Sequence, residues 1–166
     1  DLTVTGDNPD AWVTMSWLTP VVYTPTVEKT VHVTGNMFIN NGTFLFLDDQ
    51  TPQHLIVDGN VTIAPGAIFD TYNNYPVNNG GAPRLNSFEI GGSFINNSNI
   101  NPSARFINGN NYVNLTFSGN TNASITSGVG SIPNTIFNNV TINKGNSQAT
   151  TLTCDIAGTL STPANN

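Results

Sequence analysis

Between Val31 and Phe46 the chain reads Val-His-Val-Thr-Gly-Asn-Met-Phe-Ile-Asn-Asn-Gly-Thr-Phe-Leu-Phe, and weaker copies of this stretch recur from end to end. Apolar and polar residues alternate on both sides of Gly35-Asn36, and a second break falls at Asn40-Asn41-Gly42. Alternation with a period of two specifies a strand with one buried face, and each Gly or Asn pair marks a place where the backbone turns. The copies are Leu2-Thr3-Val4-Thr5-Gly6-Asp7, Ile56-Val57-Asp58-Gly59-Asn60, Glu89-Ile90-Gly91-Gly92-Ser93, Leu115-Thr116-Phe117-Ser118-Gly119-Asn120 and the looser Val140-Thr141-Ile142-Asn143-Lys144. If Val4, Val33, Val57, Ile90, Phe117 and Ile142 are equivalent, they recur every 24–33 residues, a spacing typical of solenoids.

Each period holds more than one strand. Met37-Phe38-Ile39 follows Gly35-Asn36, and after a turn comes Phe44 to Leu47; Val61-Thr62-Ile63 follows Gly59-Asn60, and after Pro65-Gly66 comes Ala67-Ile68-Phe69. Two or three short strands joined by tight turns make one coil of a parallel β-helix. The expected fold is therefore all-β: a single right-handed parallel β-solenoid over residues 1–166, with every strand pairing to the coil above and below. The test is local. Val33 should lie in parallel register with Val4 and Val57, whereas antiparallel pairing with Ile39 would make the stretch a hairpin.

Composition agrees. Asn is about a sixth of the 166 residues and Thr about an eighth, while only 8% are charged, against roughly a quarter in a typical soluble domain. Thr favours strands and Asn favours turns. Gly6, Gly35, Gly59, Gly92 and Gly119 are expected at coil corners, with Asn36, Asn60 and Asn120 after three of them as scaffold, their amides stacking in ladders.

Two stretches break the rhythm, at about 8–29 with Trp12, Trp17 and Tyr23, and at about 70–86 with Tyr72, Asn74, Tyr75 and Arg84. Insertions in a solenoid emerge as loops, and loops on a rigid scaffold commonly bind. Tyr72 and Tyr75, with amides between them, suit stacking on and hydrogen bonding to a sugar ring, so Tyr72, Asn74, Tyr75 and Arg84 form the candidate ligand site. The pattern already runs at Asp1 and still runs at the far end without a cap, which suggests a segment of a longer chain.

Other chemistry is poorly supported. A net charge of −6 and four dispersed basic residues give no footprint for nucleic acid. No apolar run approaches the roughly 20 residues needed to span a bilayer. The single cysteine, Cys154, shares a strand face with Leu152 and Ile156 and is expected to be a small buried hydrophobe. Asp58 and Glu89 fall in consecutive repeats but at different phases, a weak basis for the facing carboxylates of a glycosidase. Asp48-Asp49-Gln50 reads as a solvated corner rather than a calcium loop, and His32 and His54 have no partners at zinc-ligand spacing. No catalytic residue, metal or cofactor is expected. Thr3-Val4-Thr5 and Thr151-Leu152-Thr153 hint at ice-binding rows, but they lie at opposite ends of the chain.

The phrases Val-Thr-Gly-Asn-Met-Phe-Ile-Asn-Asn-Gly-Thr-Phe, Ile-Gly-Gly-Ser-Phe-Ile-Asn-Asn and Phe-Asn-Asn-Val-Thr-Ile-Asn-Lys resemble the degenerate repeats of very large secreted surface proteins of Bacteroidetes. The resemblance covers nearly the whole chain. It implies an extracellular, β-helical, adhesin-like or stalk-like segment, exported by the type IX secretion machinery, with surface glycans or other cell-surface proteins as partners and no catalytic motif. No C-terminal sorting domain occurs in these residues. The alternative is a carbohydrate-active β-helix, a polysaccharide lyase or hydrolase, or its substrate-binding part.

Overall fold

The structure is a computed structural model and describes residues 1–6, 11–14, 28–47, 52–72, 84–100, 102–109, 111–127, 135–145 and 150–156. Its strands in chain order begin with β1 (Leu2–Thr5), β2 (Trp12–Thr14), β3 (Lys29–Val33), β4 (Met37–Asn41), β5 (Thr43–Leu47) and β6 (Gln53–Val57). There follow β7 (Val61–Ile63), β8 (Ile68–Tyr72), β9 (Arg84–Ile90), β10 (Phe94–Asn96), β11 (Ala104–Arg105) and β12 (Ile107–Asn108). The last are β13 (Asn111–Phe117), β14 (Ala123–Ser127), β15 (Thr135–Ile136), β16 (Asn139–Ile142) and β17 (Leu152–Ile156).

These strands build three sheets. Sheet 1 runs β1-β4-β7-β10-β14-β17, sheet 2 runs β2-β5-β8-β11-β15, and sheet 3 runs β3-β6-β9-β13 with β16 and β12 both on the far side of β13. The chain visits sheets 1, 2 and 3 in rotation, so each strand pairs with strands one full coil away. All pairings are parallel except that of β12 with β13. The fold is thus a three-sided parallel β-solenoid, with β12 the exception to strict coil-on-coil pairing. Because β3 and β4 lie in different sheets, Gly35-Asn36 is a corner and not a hairpin turn.

The register carries most of the expected column. Val33 pairs with Val57, Val57 with Ile90, Ile90 with Phe117 and Phe117 with Ile142. Val4 does not belong to it: β1 joins sheet 1, where Leu2 stands beside Met37 and Val4 beside Ile39. Both candidate partners for β1 alternate correctly, so alternation alone left its sheet open; the connection to the next strand decides it. Gly6 consequently turns the chain from sheet 1 toward sheet 2, its N–H donating to Asn41 O at 3.1 Å, and not from sheet 3 into sheet 1 as Gly35 does.

The inward faces form one apolar core. Phe44, Phe46, Phe69, Phe88, Phe94, Phe106 and Phe137 make a continuous series of ring contacts, with Phe69 at its centre: its ring lies 5.2 Å from Phe44, 5.7 Å from Phe46, 5.1 Å from Phe88 and 5.2 Å from Phe106. Burying such rings contributes about 1.5–3 kcal/mol apiece, and a coil obtains that burial only through its neighbours. Coverage accordingly fails at the ends of the stack. Ile142, in the same column as the fully buried Phe117, is 62% exposed, and Val31 and Val140 are exposed at the two ends of the adjoining column. Cys154 follows the same rule: it sits beside Ile125 on β17, the last strand of sheet 1, and is exposed rather than buried.

Two clusters of inward-pointing polar residues are hydrogen-bonded. Asn86 accepts the Gln53 N–H at 2.9 Å and donates to Asn111 Oδ1 at 2.7 Å. Asn96 donates to Ser103 Oγ at 2.8 Å and to Thr135 Oγ1 at 2.9 Å, and Thr135 lies 3.0 Å from Ser127 Oγ. Buried amides and hydroxyls are tolerated because these bonds replace water.

Candidate functional site

The three corners of the solenoid differ in kind. From sheet 3 to sheet 1 the chain crosses in the short segments 34–36, 58–60 and 91–93. From sheet 2 to sheet 3 it crosses through 15–28, 48–52, 73–83, the β12 segment and 137–138. The regular corner is locked by a side-chain ladder. Asp1 Oδ1 accepts the Asn36 N–H at 2.7 Å, Asn36 Oδ1 accepts the Asn60 N–H at 2.9 Å, Asn60 Oδ1 accepts the Ser93 N–H at 2.8 Å, and Ser93 Oγ accepts the Ser124 N–H at 2.9 Å. Asn36 and Asn60 are therefore scaffold. Asn120 is not a rung: the corner after Phe117 is longer, Gly119 turns it at φ +82°, and Asn122 Oδ1 instead accepts the Thr151 N–H at 3.0 Å.

Gly92 needs its lack of a side chain for room, since a Cβ there would strike Asn60 Oδ1 and lie 2.8 Å from the Gly59 carbonyl oxygen. Lys144 closes the same corner from above. It is buried, and its Nζ donates to Gly91 O at 2.7 Å and to Ser118 O, carbonyls of the two preceding corners. Burial pushes its amine below the ordinary lysine range.

The expected binding loops fall in connections from sheet 2 to sheet 3. Segment 70–86 shrinks to 73–83, because Asp70 to Tyr72 complete β8 and Arg84 opens β9; Tyr72 pairs with Leu47 and Arg84 with Asn111. Asp70 is not a loop residue: it holds Arg105 on the next coil in a two-pronged ion pair of 2.8 and 2.7 Å. Its hydrogen bonds raise the Arg105 guanidinium above its ordinary value, against the opposing effect of burial. The segment 8–29 likewise contains a coil strand, since Trp12–Thr14 pairs in parallel with β5. Asn74, Tyr75, Trp17, Tyr23 and Asp48-Asp49-Gln50 lie outside the described residues. The remaining connections 15–28 and 73–83 both join a strand of sheet 2 to a strand of sheet 3.

Asp58 and Glu89 do not face each other. Glu89 stands level with Ile56 and Thr116, while Asp58 lies beyond Val57 in a corner and takes His32 Nε2 at 2.8 Å. His54 meets Glu28 at 3.2 Å, so each histidine joins a carboxylate of the neighbouring coil. The Thr rows at the chain ends share sheet 1, but Phe38 and Ile95 interrupt the row that begins at Thr3.

Pattern reading missed a fork in sheet 3. β12 folds back antiparallel on Asn111–Tyr112, while β16 takes Asn114–Phe117 on the same edge. The positive φ of Gly109, +58°, permits the reversal. The Asn-Gly pair Asn108-Gly109 was the available sequence signal. Compared with protein families, with curated proteins and with solved structures, the chain matches none.

Proposed function

We propose that this chain is a non-enzymatic segment of a bacterial cell-surface or secreted protein, acting as a rigid stalk that presents glycan-binding loops. The observation that carries the reading is the asymmetry of the corners. One corner is short and laddered from coil to coil, whereas the two inserted segments both join sheet 2 to sheet 3. A ladder of that kind fixes coil spacing, which suits a spacer, and insertions that join the same two sheets suit contact with an extended partner.

The resemblance of the repeats to Bacteroidetes surface proteins supports an extracellular, adhesin-like role and export by type IX secretion. The net charge of −6 argues against nucleic acid as the partner. On this reading Asn74 and Tyr75 of the 73–83 loop, with Tyr72 and Arg84 on the strands that flank it, contribute to glycan contact. Two measurements test it. Electron microscopy of the parent protein should show a rod whose length grows with repeat number, and a compact globule would refute the stalk. Binding to a panel of neutral and acidic polysaccharides should weaken in Tyr75→Ala, and unchanged binding would remove that loop from the site.

A further inference from the structure

The fork in sheet 3 makes a second surface, built from strands and not from loops. On the outward side of β9 and β13, Leu85 stands beside Tyr112, and Tyr112 stands beside Ile107 of β12. Leu85 is 55% exposed. The next outward row, two residues along the strands and so roughly 7 Å away, holds Ser87, Asn114 and Asn139. There Asn114 Oδ1 accepts hydrogen bonds from Asn138 Nδ2 at 3.0 Å and Asn139 Nδ2 at 3.1 Å.

These two bonds orient three amides without exhausting them. The Asn114 Nδ2 group remains as donor, and the Asn138 and Asn139 Oδ1 atoms remain as acceptors, unengaged by any described residue. Because β12 and β16 share one edge of β13, the aromatic row and the amide row border the gap where those two strands part. Among the described residues the carboxylate nearest in register is Glu89, one further outward row along β9. An aromatic face beside fixed neutral donors and acceptors suits a ligand with apolar ring faces and many hydroxyls.

We infer that Tyr112, Asn114, Asn138 and Asn139 form a binding site for a neutral oligosaccharide, one sugar ring stacking on Tyr112 while the next sets its hydroxyls against the amides. This deepens the glycan-binding part of the proposed function and rests on it, adding a second contact on the strand face of sheet 3. Leu85 extends the apolar floor. The site holds its geometry through strand pairing, so binding carries little ordering cost.

The test is titration calorimetry of the whole chain with cellohexaose, xylohexaose, mannohexaose and chitohexaose, with the galacturonate hexamer as acidic comparison. At least one neutral hexamer should bind in preference to the acidic one. Tyr112→Ala should weaken it by about tenfold or more, and Tyr112→Phe by no more than about twofold. Asn114→Ala should weaken it as well. Tyr112→Leu keeps the bulk and guards against a folding defect; it should show the loss of Tyr112→Ala with an unchanged circular dichroism spectrum. Thr62→Ala, on the outward side of sheet 1, should bind normally. Affinity lost in Tyr75→Ala but kept in Tyr112→Ala would overturn this site and leave the loop reading standing. Absence of binding to every neutral hexamer would overturn the site, while the rod length of the parent protein would still decide the stalk.

Discussion

Replacing Gly59 with alanine probes how closely the coils stack. Gly59 lies in the short corner between β6 and β7, and its N–H donates to Gly35 O at 2.9 Å. Its φ lies outside the left-handed region, so the reason for glycine is space. A Cβ at this position would lie 2.8 Å from Gly35 O, 2.9 Å from the Gly35 carbonyl carbon and 2.5 Å from Asn36 Oδ1. Two of these atoms are backbone of the coil beneath and cannot rotate away, so the corners must separate. Separation weakens the Gly59 bond and the Asn60 N–H bond to Asn36 Oδ1, each worth about 1 kcal/mol net, and adds an overpacking cost of about 1–3 kcal/mol. The expected loss is about 2–5 kcal/mol. Gly66→Ala is the control: its φ is +81° but no atom lies within 4 Å, so only the left-handed backbone costs, about 1–2 kcal/mol. With a urea slope of about 2–3 kcal/mol per molar, Gly59→Ala should lower the midpoint by about 0.7–2.5 M and Gly66→Ala by about 0.3–1 M. Hydrogen exchange should quicken at residues 34–37 and 58–61 in Gly59→Ala. Equal or smaller destabilisation by Gly59→Ala than by Gly66→Ala would refute backbone contact between stacked corners.

Phe69→Ala removes the ring at the centre of the core and should cost about 3–5 kcal/mol in urea denaturation, whereas the outward Phe38→Ala should cost under about 1 kcal/mol. Lys144→Met strips the donor from Gly91 O and Ser118 O and should cost about 1–3 kcal/mol. The lowered amine gives a sign for pH. The folded state releases this proton before the unfolded chain does, so wild type should gain stability relative to Lys144→Met as pH rises toward the ordinary lysine value. Thermal melts across that range check it, and a parallel course of the two proteins would contradict it. Arg105→Met should cost about 1–2 kcal/mol, intermediate between exposed and buried pairs. Because the Arg105 value is raised, its contribution is fully present below the ordinary arginine value, and the difference from Arg105→Met should stay flat from about pH 6 to 10.

Strand identity and inward faces were readable because alternation and burial share one physical cause: in a stack, each inward residue must find apolar neighbours above and below. Val33, Val57, Ile90, Phe117 and Ile142 were legible as a column on that ground. The sheet to which a strand belongs was less legible. Leu2-Thr3-Val4-Thr5-Gly6-Asp7 matches Val31-His32-Val33-Thr34-Gly35-Asn36 residue for residue in character, yet β1 pairs with β4, since the coil closes through Trp12–Thr14 before reaching β3. That strand was hidden inside an apparent insertion because three residues are too few to show a period. Inward Asn86, Asn96 and Asn111 were equally hidden, for a polar residue at an inward position reads as a break until its partner is known.

The site shows the same division. The 73–83 connection was visible as a gap between copies, but the Tyr112 and Asn114 face was not. It depends on β12 reversing to pair with Asn111–Tyr112 on the same edge of β13 that β16 takes at Asn114–Phe117. Short antiparallel excursions of two residues leave little trace in a pattern dominated by longer strands. Asn120 failed as a ladder rung for a related reason, since a corner two residues longer than its neighbours carries the next side chain out of line.

The claim on which everything else rests is that strands pair one coil apart and in parallel. Nuclear Overhauser contacts of Val57 measure this directly. Val57 should show parallel-strand contacts to both Val33 and Ile90, with Phe117 reached in turn from Ile90, and none should join Val33 to Ile39. Contacts between Val33 and Ile39 in antiparallel register, without the Val57 to Ile90 set, would replace the solenoid with a hairpin and contradict the account.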